Sequence, residues 1–429
     1  MNMKKLKVIL IGAGNRGEAY TNLMLKLPEK YEVIAVADPE VTRREHFKKL
    51  HNMAEENCCK HYDELLSREK FADLVIISTQ DKLHYDPAMK AIEKGYDILL
   101  EKPIAPTAKE CLEITNAAVK KGVRVIVCTV LRYTPLYGTI KQLIKDGRLG
   151  DIVSVNHEEC VGNLHQSHSF VRGNWGNEGR SACMLLAKSC HDLDLLPWLI
   201  GKKCKKIQSF GSLSYFNAAH APEGAPERCI EGCPHAETCL YNAVDIYLHT
   251  DNPAERVWYQ TTSTLKQDPT EEEVVQAQWN TQYGKCVYKC DNDVVDHQTV
   301  NMLFEDNITA TFTMNAFNRG GRFLNVFGTK AELRSALSNE ETSIRIFDFD
   351  TRQWSEIDVG EGSNELTGGH GGGDAGIVQC LYDYLTDQGK TDAIPTIEES
   401  CHNHILVFAA EEARHNGTIV DVDAFIEKL

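Results

Sequence analysis

Positive charge is in short supply: 46 Lys and Arg stand against 62 Asp and Glu, for a formal net charge of −16 over 429 residues. Nucleic acid and anionic membrane surfaces repel such a chain at range, so neither is expected as a partner. An anionic small molecule would need a local basic pocket. No stretch approaches the ~18 consecutive apolar residues that span a bilayer, and there is no internal repeat or low-complexity tail. Met1-Asn2-Met3-Lys4-Lys5 brings no apolar leader before the first strand. With 15 scattered cysteines, a reducing cytoplasm is expected, most thiols acting as small core residues.

What is present is ordinary for a packed protein: 42% hydrophobic and 25% charged residues, on a chain long enough for two or three domains. Short apolar runs at Val8–Ile11, Val33–Ala37, Leu74–Ile77, Ile98–Leu100 and Val123–Cys128 read as buried strands. Amphipathic helices fall between them, at Tyr85–Glu93 and Ala108–Lys121, each followed by a glycine suited to a C-cap. Strand and helix in this alternation imply a parallel sheet, so residues 1–150 are expected to form a Rossmann domain. Residues 151–429 change texture. Alternating segments at Cys286–Cys290, Gln298–Phe304, Ile308–Met314, Phe323–Val326 and Ser343–Phe347 imply an α+β domain on a large, mostly antiparallel open sheet. Helices are expected at Cys190–Leu199, Asp374–Leu385 and Glu398–His415, with a loop-rich, cysteine-containing insertion at 217–270.

Gly12-Ala13-Gly14-Asn15-Arg16-Gly17 follows the first strand and opens a helix. Such glycines allow a tight turn, close approach to a pyrophosphate and close helix–strand packing, while backbone N–H groups meet the phosphates. Asp38, at the tip of the second strand, is placed to accept from ribose hydroxyls and to repel a 2′-phosphate, which favours NAD over NADP. Arg43 and Arg44 could soften that preference, but on a helix they read more readily as a solvated face. Thr79 and His84 follow a later strand, where they could line the ribose–nicotinamide stretch; His84 reads equally as a helix N-terminal residue.

The next strand ends in Glu101-Lys102-Pro103. A lysine at the carboxyl end of a sheet strand, fixed by a proline, points into the ligand crevice. Beside a positive nicotinamide it can exchange protons, with Glu101 orienting it or touching the ribose.

With the Gly12 fingerprint, Asp38, this triplet and the two-domain order, the chain resembles the Gfo/Idh/MocA oxidoreductases, which include glucose–fructose oxidoreductase and inositol dehydrogenase. The resemblance implies NAD(P)-dependent chemistry on a sugar or polyol carbon, and a homodimer or homotetramer built through the C-terminal sheet. Arg132 matches the family's arginine near the cofactor, whereas Thr129 replaces an asparagine. His191 falls at the family's catalytic histidine, with Asp194 on the same helical face. The aspartate that precedes that histidine by four residues in inositol dehydrogenases is Ala187 here, with Lys188 beside it. Lys102, His191 and Lys188 are therefore the candidate catalytic residues, and Asp194, Arg172 and His370 candidate substrate contacts. The leading reading is an NAD-dependent sugar or polyol dehydrogenase. Redox-assisted glycoside cleavage with tightly held NAD is a second reading, and an idle NAD-binding sensor a third, given room by Ala187.

Two features stand apart. Cys229-x3-Cys233-x5-Cys239 could hold a structural zinc with Cys286, Cys290 or a histidine as fourth ligand, or be a loop of free thiols. Gly368-Gly369-His370-Gly371-Gly372-Gly373 could close over substrate, with His370 or Asp374 reaching it.

Overall fold

A computed structural model describes residues 4–266, 268–359, 370–386 and 393–429. The first sheet has six parallel strands: β1 (Leu6–Ile11), β2 (Tyr31–Ala37), β3 (Cys58–Cys59), β4 (Leu74–Ile77), β5 (Asp97–Leu100) and β6 (Val125–Val127), in the order β3-β2-β1-β4-β5-β6. Its strands are continuous apolar runs because helices cover both faces. All four residues of Leu74–Ile77 are buried. The strand order reverses beside β1 and β4, which opens a crevice at their carboxyl ends.

The second sheet has nine strands: β7 (Ile152–Cys160), β8 (Cys204–Ser212), β9 (His297–Phe304), β10 (Thr309–Asn315), β11 (Gly321–Gly328), β12 (Ala331–Leu337), β13 (Thr342–Asp348), β14 (Gln353–Ile357) and β15 (Val420–Asp421). It is antiparallel except where β10 runs parallel to β7. Along β9 the alternate residues Gln298, Val300, Met302 and Phe304 are buried, and this face packs on helices Cys190–Ile200 and Ile397–Asn416.

Several expectations needed revision. Cys286–Cys290 is a turn, not a strand: Lys289 N–H donates to the Cys286 carbonyl (2.9 Å), and Val287 and Tyr288 bury themselves beside Phe216 and Tyr241. Strands β12 and β14 were not expected. The 217–270 segment contains the helix Pro253–Thr264, whose start Asn252 caps, and the acidic run opens a further helix, Glu271–Asn280, through a Thr270/Glu273 capping box. Helix Gly373–Leu385 returns to the first domain, where Ile377, Val378 and Leu381 join the hydrophobic core that contains Val8 and Leu10. Among the described residues no helix is long and apolar enough to cross a membrane.

Candidate active site

The glycine loop joins β1 to helix Asn15–Leu25. Gly12 has φ +90°, and a Cβ there would lie 2.6 Å from the Ser78 carbonyl oxygen, so the turn admits only glycine. A Cβ on Gly14 would meet nothing nearer than Arg43 Nη1 at 3.9 Å, and no side chain caps the helix. Its first N–H groups therefore face open space at the positive end of the helix dipole, as a pyrophosphate requires. Asp38 is buried beside this loop, accepting from Ala13 N–H (2.8 Å) and Glu40 N–H (2.9 Å). Arg43 and Arg44 are not a solvated face: Arg43 Nη1 lies 3.9 Å from the Asp38 carboxylate, and Arg44 donates to the Asp38 carbonyl (2.7 Å).

Glu101, Lys102, Asn15, Arg16 and Thr79 line one wall of a cleft of about 380 Å³, opposite Ala187, Lys188, His191 and His370. Lys102 Nζ donates to the Ala187 carbonyl (2.6 Å), the position where the aspartate is missing. Glu101 orients the triplet rather than reaching outward: it accepts from Lys102 N–H (2.8 Å), Tyr20 (2.8 Å) and Arg16 (2.6 Å). Burial works to raise its proton affinity, but the charges of Arg16 and Lys102 prevail and hold the carboxyl below its usual range. Arg16 also pairs with Asp374 (2.7 Å) and contacts the Tyr20 hydroxyl, so the glycine loop is tied to the returning helix. Asp374 in turn accepts from the His370 ring (3.3 Å), and that ring lies 5.7 Å from His191. Burial, then the cations Lys102, His370, Arg322 and Lys188, push the His191 imidazole far toward its neutral form.

The structure assigns four expected site residues elsewhere. His84 is fully buried, its ring 2.7 Å from the Pro103 carbonyl and 3.2 Å from that of Thr79, bracing the loops after β4 and β5. Arg132 and Asp194 form a buried bidentate pair (2.6 and 2.7 Å) outside the cleft. Arg172 is spent on the carbonyls of Lys285 (2.8 Å) and Tyr241 (2.6 Å). The zinc expectation also fails: among the described residues no group of three or more His, Cys, Asp or Glu is placed to hold a metal. Cys229, Cys233 and Cys239 instead line a small cavity with Pro222, Ala225 and Tyr241. Gly368 and Gly369 lie outside the described residues.

Sequence reasoning missed the aromatic side chains at one end of the cleft, Phe170, Trp175 and Trp258, which stand there with His165. Trp258 comes from the 217–270 segment and stands edge-on to His165 at 5.1 Å. No spacing rule connects residues so far apart.

Comparison with known proteins identifies the family of both domains. Residues 6–129 match the NAD-binding Rossmann fold of an oxidoreductase family, and residues 141–422 its C-terminal alpha/beta domain. The Bacillus subtilis protein YteT is 24% identical over 84% of each chain. An inositol 2-dehydrogenase of Saccharopolyspora erythraea is 27% identical over 52% of this chain and 62% of its own. A levoglucosan dehydrogenase in complex with NADH and levoglucosan superposes with a TM-score of 0.71 at 15% identity, covering 98% of this chain and 100% of that one.

Proposed function

Because the chain belongs to the Gfo/Idh/MocA oxidoreductases, we propose that it oxidises or reduces a CH–OH carbon of a sugar, polyol or sugar derivative with NAD. The observation that carries this reading is the convergence of Lys102 with His191 and Lys188 in one cleft at the mouth of the glycine loop. The Gly12–Gly17 loop and the open helix start would hold the pyrophosphate, and Asp38 the adenosine ribose. When bound, the cofactor supplies the hydride acceptor or donor. The protein's share is positioning and electrostatics. The Lys102 ammonium stabilises charge developing on the reacting oxygen, and neutral His191 hydrogen-bonds a substrate hydroxyl. Phe170, Trp175 and Trp258 offer apolar faces to the C–H surface of a ring.

NAD is favoured over NADP because the buried Asp38 carboxylate faces the ribose end, although Arg43 is close enough to moderate the preference. We also propose self-association through the outer face of the nine-stranded sheet, where Phe210 is exposed. The functional test is a screen of polyols, aldoses and glycosides for change in nicotinamide absorbance, with Lys102→Ala as control. Net NADH formation that the variant lacks supports the dehydrogenase. Product formation without net NADH would move the assignment to redox-assisted cleavage. NAD binding without turnover of any substrate would leave the sensor.

A further inference from the structure

Lys188 stands at the cleft end of a buried chain of charges that neither Lys102 nor His191 possesses. It occupies the turn between helices Met184–Ala187 and Cys190–Ile200, and its side chain is 18% exposed. Its Nζ lies 3.3 Å from Glu159 Oε1 on β7. The other Glu159 oxygen meets the guanidinium of Arg322 on β11. Arg322 reaches on to Asp192 (2.8 Å), which also accepts from the His157 ring (2.7 Å). Glu159, Asp192 and His157 are all at most 3% exposed.

We propose that Lys188, held by Glu159 and Arg322, is the group that takes the substrate's hydroxyl proton. This rests on the oxidoreductase reading of the cleft. In the oxidation direction the substrate gives its C–H hydride to the bound cofactor and its O–H proton to the Lys188 amine, and its C–O bond becomes a carbonyl. A positive charge thereby arises on Lys188, and the question is which cleft group can carry it. His191 cannot do so cheaply: its surroundings are the cations Lys102, Lys188 and Arg322 with His370, and its buried Nδ1 has no hydrogen-bond partner. Lys188 can, because the Glu159 carboxylate is already in contact. With Lys188 charged, two cations (Lys188, Arg322) balance two carboxylates (Glu159, Asp192).

Before the transfer the amine must be available in its neutral form. Burial and Arg322 disfavour the ammonium, while Glu159 and Asp192 favour it, and the balance falls below the ordinary lysine value. His165 and His191 also face Lys188 and are held neutral by burial. Lys102 also stands close by, its Nζ on the carbonyl of Ala187, the residue before Lys188. Glu159 and Arg322 are thus positioning residues that pull the Lys188 proton affinity in opposite directions.

The test needs no substrate at first. Trace acetylation across pH, read by peptide mass spectrometry, reports when each lysine loses its proton. Lys188 is expected to become reactive at lower pH than the exposed lysines. Glu159→Gln should move that transition to lower pH, and Arg322→Gln to higher pH. Once a substrate is in hand, the acid limb of kcat/KM should follow the same order, and Lys188→Met should abolish it. A Lys188 that titrates with the surface lysines, or variants that both shift it the same way, would overturn the proposal on folded protein. An acid limb that ignores both variants, in an enzyme that turns over, would reject Lys188 as the base while leaving the dehydrogenase reading intact. If no sugar or polyol is turned over, the functional reading falls, and the role of Lys188 with it.

Discussion

Removing the Arg132 guanidinium should lower stability sharply without loosening the cofactor. Arg132 and Asp194 are each 1% exposed and joined by two short contacts, at 2.6 and 2.7 Å. Asn403 donates to the same carboxylate (2.9 Å). Arg132→Met would strand the Asp194 charge in the interior, at a cost of about 3–5 kcal/mol for breaking a buried pair from one side. The third contact, to Glu399, adds little, because that carboxylate is 46% exposed and its pairing is worth about 0–1 kcal/mol. Denaturant unfolding followed by the fluorescence of Trp198, whose ring lies 5.6 Å from the guanidinium, reads the loss locally. Arg132→Met/Asp194→Leu should recover most of it, since replacing a buried pair by apolar residues is often neutral. The NAD dissociation constant of Arg132→Met should stay at the wild-type value. Unchanged stability with weakened NAD binding would refute the reasoning and return Arg132 to the cofactor site.

Other outcomes follow from the same geometry. Lys102→Ala should reduce kcat by about 10²–10⁴-fold, with NAD affinity kept, because the lysine acts on the reacting oxygen and not on the dinucleotide; initial rates and calorimetry separate the two. Asp38→Ser should weaken NAD and improve NADP, and adding Arg43→Ala should undo the gain in NADP, as cofactor titrations would read. Trp258→Ala should raise KM for ring substrates more than it lowers kcat, since it removes an apolar wall and no charge. Burial holds His51 down to about 4 and His168 to about 3. A histidine depressed in this way stabilises the fold fully above its unfolded value, near 6.5, and less as pH falls through its folded value. Urea midpoints should therefore drop between pH 8 and pH 5, and equal midpoints would contradict the burial argument.

Much of the architecture was readable because it rests on local rules. Continuous apolar runs such as Leu74–Ile77 mark strands covered on both faces, and the Gly12–Gly17 spacing with Asp38 marks the tight glycine turn after β1. Lys102, Lys188 and His191 were also visible, since each sits beside a strand end or helix start with a recognisable neighbour. The misplaced Arg132, Asp194 and Arg172 share one cause, the long-range pairing of polar groups. Nothing local shows that Arg132 will find Asp194 or that Arg172 will bind the carbonyls of Lys285 and Tyr241. Glu159 and Arg322 were invisible for the same reason, because they meet Lys188 only across the second sheet. Cys229, Cys233 and Cys239 have a ligand-like spacing, but the fold turns them into the wall of a small cavity. Strand β12, with its Ala, Glu, Leu and Arg, carries helix-forming residues and is a strand only because β11 and β13 pair with it.

The most direct test of the central claim is a crystal structure with NAD bound. The account requires the pyrophosphate on the Gly12–Gly17 loop, the adenosine ribose at Asp38, and the reactive face of the nicotinamide turned toward Lys102, Lys188 and His191. A dinucleotide bound with its nicotinamide directed away from that cleft, or a loop that leaves the cofactor unbound, would contradict it.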